Sequence, residues 1–209
     1  AKLTGNIRHY YFIGGMPEAV SSFISENDFD RVRDIQKSIL SAFEHDFSKH
    51  APAEIVTRIK MLWQSIPSQL SKENKKFIYG VVKQGGRAKE FELALAWLTD
   101  CGLVHKIQRI SKPAIPLVAY QDNSAFKLFI LDVGLLSAMG GLTKQTILQG
   151  NSIFSEFKGA LADQFVLQHF KTRLDDKVFY WSSDTSQAEL DFVIQKNDQV
   201  IPIEVKAEE

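Results

Sequence analysis

Ala188-Glu189-Leu190-Asp191-Phe192-Val193-Ile194, the polar break Lys196-Asn197-Asp198-Gln199, and Val200-Ile201-Pro202-Ile203-Glu204-Val205-Lys206 decide how this chain is read. Two short apolar-alternating runs around a turn-prone tetrapeptide predict a β-hairpin. Closing the turn over Lys196 to Gln199 with two or four loop residues places Asp191 opposite Glu204 and Glu189 opposite Lys206. Side chains directly opposite on one sheet face lie roughly 4.5–5.5 Å apart, and like charges there cost stability. Two strand carboxylates with a lysine two residues beyond the second can hold Mg²⁺ and orient a water on a phosphate. The same residues equally fit a solvated hairpin face, with Glu189 and Lys206 as a surface ion pair worth roughly 0–1 kcal/mol.

A third element lies upstream. From Glu156 to Phe170, the residues Phe157, Leu161, Phe165 and Val166 fall at helical spacing, and Asp163 lies close to that apolar stripe. The order of Lys158-Gly159 with an acid four residues on, then Asp191, then Glu204-Val205-Lys206, resembles the PD-(D/E)XK nuclease superfamily with its restriction-endonuclease-like fold. The chain is more closely similar to a family of unknown function that forms the C-terminal half of prokaryotic AAA-type ATPases. That resemblance covers nearly the whole chain. It rests on Tyr11-Phe12-Ile13-Gly14-Gly15-Met16-Pro17-Glu18-Ala19-Val20, Phe126-Lys127-Leu128-Phe129-Ile130-Leu131-Asp132-Val133-Gly134-Leu135-Leu136, Glu189-Leu190-Asp191-Phe192 and Pro202-Ile203-Glu204-Val205-Lys206. The helix acid, usually glutamate in this group, is Asp163 here.

The resemblance implies a nuclease-like domain linked to an ATPase. It assigns Asp191, Glu204 and Asp163 to Mg²⁺, with the Val205 carbonyl completing the ligand set. Lys206 joins Asp191 and Glu204 as a candidate catalytic residue, orienting water and steadying phosphate charge. The alternative it leaves open is a catalytically inactive nuclease fold serving protein interaction or regulation of the ATPase. No Gly-x-x-x-x-Gly-Lys-Ser/Thr loop occurs in these residues, so an ATP site is expected only in a parent protein, upstream of Ala1. The sequence reads as a piece of a longer protein that begins in the ATPase lid and ends within the nuclease-like domain.

The expected fold is mixed α/β: N-terminal helices and a winged helix followed by a truncated restriction-endonuclease-like α/β domain. Residues 1–70 read as lid-derived helices. Pro17-Glu18 starts one after Gly14-Gly15, and Arg31 to Lys49 and Ala53 to Ile66 carry apolar stripes up to a break at Ile66-Pro67-Ser68. Residues 71–141 follow winged-helix order. A helix from Arg87 to Asp100 ends at a Gly102 cap, a strand runs from Leu103 to Ile110, a Pro-rich wing follows, and Leu117 to Tyr120 forms the second strand. Lys83, Arg87 and Lys89 are its candidate DNA contacts; Glu90 and Glu92 interrupt that face, which also fits a solvated mixed-charge surface. Residues 142–209 form the nuclease-like block. Asp132, ahead of Val133-Gly134, reads as a helix N-cap.

Composition excludes several classes. Lys and Arg number 25 against 25 Asp and Glu, so no overwhelming phosphate-binding charge is present. One cysteine, Cys101, excludes an intrachain disulfide, and His9, His45, His50, His105 and His169 lack zinc spacing. No leader and no apolar run of about twenty residues is seen, so the expectation is a cytoplasmic protein without membrane contact, with DNA or a protein as partner.

Overall fold

A computed structural model describes residues 2–72, 75–149, 152–173, 177–186 and 188–207, and its class is the expected mixed α/β. The helices are α1 (Lys2–Ile13), α2 (Pro17–Glu26), α3 (Phe29–His50), α4 (Ala53–Leu70), α5 (Tyr79–Val82), α6 (Ala88–Asp100), α7 (Val133–Met139), α8 (Lys144–Gln149) and α9 (Ser152–Arg173). The strands are β1 (Val104–Ile110), β2 (Gln121–Ile130), β3 (Val178–Ser182), β4 (Glu189–Lys196) and β5 (Gln199–Ile203).

Local chemistry sets these boundaries. Pro17 opens α2, and Asp28 opens α3 by accepting the amides of Asp30 and Arg31. Gly102, at φ 73°, ends the turn after α6 where a Cβ would be strained. The expected break at Pro67 does not occur: α4 runs through it to Leu70, because Ile66, Gln69 and Leu70 are all buried and Gln69 exchanges two hydrogen bonds with the backbone of Ile78.

One sheet, in the order β2-β1-β3-β4-β5, gathers the strands. β1 pairs antiparallel with β2 and parallel with β3, while β3, β4 and β5 are successively antiparallel. The sheet therefore crosses the expected division at 141/142. The expected helix–strand–strand order appears as α6, β1 and β2, but its strands are two of five rather than a separate wing. Leu117–Tyr120 is a 3₁₀ turn, not a strand. Gln195 takes the Leu117 amide, and the Ala119 amide closes back on Pro116.

The main core lies between the sheet and the helices, around Phe12, Phe47, Trp63, Phe91, Phe129 and Phe192. A smaller cluster of Ile110, Leu117, Phe179 and Val193 packs separately. Helix α9 is held to β2 by Gln164, which donates to the Ile130 carbonyl (2.7 Å) and accepts its amide (3.1 Å). One turn later Gln168 accepts the Val133 amide. This clamp fixes where Asp163, the residue before Gln164, stands over the sheet.

Candidate functional site

The hairpin register is the one expected. Lys196 pairs with Gln199, and the ladder continues to Phe192 opposite Ile203, so the next step sets Asp191 level with Glu204. A β-bulge lies on the other side of β4, in its pairing with β3. Phe179 pairs with Val193 and Trp181 with Leu190, leaving Asp191 and Phe192 together opposite Tyr180. An extra residue of this kind re-aims a side chain. Asp191 is buried and accepts the Val205 amide at 2.9 Å, whereas Glu204 is 45% exposed and takes the ammonium of Lys206, itself 66% exposed, at 2.8 Å.

Asp163 is buried on α9 and its carboxylate meets Lys75 Nζ at 2.5 Å. Lys75 is brought there by the segment after α4, which is pinned to the sheet by the Phe77 amide on the Phe126 carbonyl. Burial pushes the Asp163 carboxyl up to about 6; Lys75 opposes this, and the negative charge of Asp191 adds to it. Asp163 and Asp191 are both buried, and the charge of Asp191 reaches Asp163.

Lys127 of β2 is 0% exposed, and its ammonium has no hydrogen-bond partner. It lies 4.8 Å from the centre of the Tyr180 ring, whose buried hydroxyl is also without a partner. Burial lowers the Lys127 pKa, while the charges of Glu189, Asp163 and Asp191 pull it back up. Burial raises the Tyr180 phenol. Farther along the sheet, Arg109 bridges Asp122 (2.9 Å) and Asp184 (2.5 Å). These groups form a polar band of three carboxylates and two ammonium groups, bordered by the Arg109 cluster.

The fold therefore buries Asp163 and Asp191 within electrostatic reach of each other and leaves Glu204 and Lys206 at the surface. Among the described residues, no group of three or more His, Cys, Asp or Glu side chains is placed to hold a metal ion. As they stand, Asp163, Asp191 and Glu204 do not fit a shared Mg²⁺. Lys83, Arg87 and Lys89 are all exposed around the Gly85-Gly86 turn between α5 and α6. Lys75 and Lys127 are not among the expected site residues. Lys127 carried a signal, being the one charge in the run Ala125-Phe126-Lys127-Leu128-Phe129-Ile130.

Asp132 caps α7 as expected, its carboxylate accepting the amides of Leu135 (3.0 Å) and of Gly15 (2.6 Å). It serves architecture.

Among the described residues, no helix is long and apolar enough to cross a membrane. Residues 158–209, covering most of α9 and all of β3 to β5, match the family described as Domain of unknown function (DUF4143). No curated protein and no solved structure matches the chain. Residues 4–146, which reach from α1 into α8 and make up well over half of the chain, match a second family, and the protein accordingly belongs to that family, described as Domain of unknown function (DUF8612).

Proposed function

We propose that this chain is a non-catalytic, nuclease-like module in the C-terminal region of an AAA-family ATPase, where it engages a protein partner or relays the state of the ATPase. The observation that carries this reading is the pairing of Asp163 with Lys75, with Lys127 buried in the field of Asp163, Asp191 and Glu189. Acids compensated by lysines from their own chain are poor ligands, since a divalent ion must displace an existing ion pair and then tolerate a buried ammonium beside it. The match of residues 158–209 to the family described as DUF4143 agrees with the sequence resemblance to ATPase-linked proteins.

A second reading, Mg²⁺-dependent phosphodiester hydrolysis on DNA, is favoured by the approach of Asp163 to Asp191. One experiment separates the two. The full-length protein is titrated with Mg²⁺ by calorimetry and assayed on single-stranded, duplex and branched DNA and RNA, with and without ATP. The module reading expects neither heat nor cleavage, together with nucleotide-dependent changes in hydrogen exchange across this region. Cleavage that disappears in Asp191→Asn would replace it with the nuclease reading.

A further inference from the structure

We propose that the outward face of α6 is a homotypic docking surface, on which a second copy of this chain lays its own α6 antiparallel about a twofold axis. This rests on the reading of the chain as a non-catalytic interaction module and names the protein it engages.

Helix α6 spans Ala88–Asp100, and its buried residues are Phe91, Ala94, Leu95 and Leu98. They form one stripe turned to the core. At about 3.6 residues per turn, the stripe on the opposite side of the helix holds Lys89, Leu93, Ala96 and Asp100, all exposed. Leu93 is 71% exposed, an apolar side chain that its own chain leaves in solvent. The steps of four, three and four residues along this stripe are those of a seam between two packed helices.

Paired antiparallel with itself, the seam matches large with small and base with acid. With the twofold at the middle of α6, Lys89 faces the second copy's Asp100, Leu93 faces the second copy's Ala96, and each pair occurs twice. A parallel pairing would set lysine on lysine and aspartate on aspartate, so the charges select the antiparallel one.

Both charges also stand at the unfavourable ends of their own helix. Lys89 lies in the first turn, where the helix dipole is positive, and Asp100 closes the last turn, where it is negative. Among the described residues, neither takes part in an ion pair. An antiparallel neighbour brings an acid to the first end and a base to the second, which relieves both. Exposed ion pairs contribute little by themselves. Burial of Leu93 over Ala96 therefore drives the contact, and the charges fix its direction. One helix from each copy is a small area, which sets the association in the weak, transient class.

The test is sedimentation of the full chain at low salt over roughly 10–500 µM, the range suited to a contact of that class. Wild type should shift from monomer toward dimer across it. Leu93→Gln should weaken association at least about tenfold. Lys89→Asp sets acid against acid and Asp100→Lys sets base against base, so each variant alone should sediment as a monomer. Both substitutions suit the helix dipole, so their loss of association is not a weakened helix. Mixed in equal amounts, the two variants should form a dimer, because each then meets its opposite at both ends of the seam. The double variant Lys89→Asp/Asp100→Lys should dimerise by itself. A wild type that stays monomeric overturns the proposal, as do a dimer that Leu93→Gln leaves intact and single variants that fail to combine on mixing. Duplex DNA bound by a monomeric wild type and released by Leu93→Gln would give this face to nucleic acid instead. Nuclease activity lost in Asp191→Asn would end the non-catalytic reading and leave the sedimentation result to stand or fall on its own.

Discussion

The carboxylate of Asp132 holds the amide of Gly15, 117 residues earlier in the chain, at 2.6 Å. It simultaneously caps α7 through Leu135 and receives Gln168 from α9. Gly14 stands at φ 73°, and a Cβ there would overlap the Asp132 carboxylate. The Gly14-Gly15 turn and the Asp132-Val133-Gly134 turn are thus two halves of one junction tying α1, α7 and α9 together. Asp132→Ala should cost about 2–4 kcal/mol, since it removes an N-cap and strands buried donors. Asp132→Asn should cost less because one acceptor oxygen survives. Gly14→Ala should also destabilise, by about 1–2 kcal/mol from backbone strain alone. Urea midpoints for the three variants check the order.

Asp163 gives the stability curve a specific pH signature. Its carboxyl is raised from 3.8 to about 6, with burial outweighing the attraction of Lys75. The folded protein therefore holds this proton more tightly than the unfolded chain does. The stabilising contribution is complete below about pH 4 and is lost as pH rises through about 6, an effect of at most about 3 kcal/mol. His105 acts in the opposite direction over an overlapping range: burial and Lys171 lower it from 6.5 to about 4, so its contribution is complete above 6.5 and is lost as pH falls. The difference between wild type and Asp163→Asn isolates the first effect. That difference should favour the wild type most at the acid end and shrink toward neutral pH in denaturant titrations.

How much of this was legible depends on how local the cause is. Asn197-Asp198 between alternating runs fixed the β4–β5 register, and Gly102 and Asp132 marked helix ends, because turns and caps depend on residues within a few positions. The bulge at Asp191 and Phe192 was not legible. A single extra residue leaves the apolar pattern of Leu190, Phe192 and Ile194 looking regular, although it sets Asp191 and Phe192 together opposite Tyr180. The parallel pairing of β1 with β3 was also hidden, being a long-range event set by packing. The same applies to Lys75 and Lys127, whose acidic neighbours come from α9 and β4, far along the chain. The proline at 67 shows the converse, a strong local breaker overridden by buried neighbours on either side.

The two acids of the hairpin should respond differently to truncation. Asp191→Ala removes the acceptor of the Val205 amide from a buried position, and a loss of about 1–3 kcal/mol is expected. Glu204→Gln and Lys206→Ala disrupt an exposed ion pair and should each change stability by less than about 1 kcal/mol. Hydrogen exchange at the Val205 amide should accelerate in Asp191→Ala and stay near wild type in the other two.

The basic turn between α5 and α6 offers the clearest test of nucleic-acid contact. Arg87 sits at the N-cap position of α6 and Lys89 in its first turn, where a positive charge opposes the helix dipole by about 0.3–1 kcal/mol each. An anion lying against this end would remove that penalty, and Lys83, directly after α5, adds a third exposed cation. Glu90 in the same turn and Glu92 nearby oppose such a ligand. Duplex DNA binding followed by anisotropy at rising salt should weaken in Lys83→Ala/Arg87→Ala/Lys89→Ala. The slope of log affinity against log salt should become shallower by up to about 3, because each phosphate that is no longer neutralised removes about 0.9 from it. Glu90→Gln should strengthen binding and leave the slope nearly unchanged. An unaltered slope in the triple variant, or no binding by wild type at low salt, would assign this face to a partner other than nucleic acid.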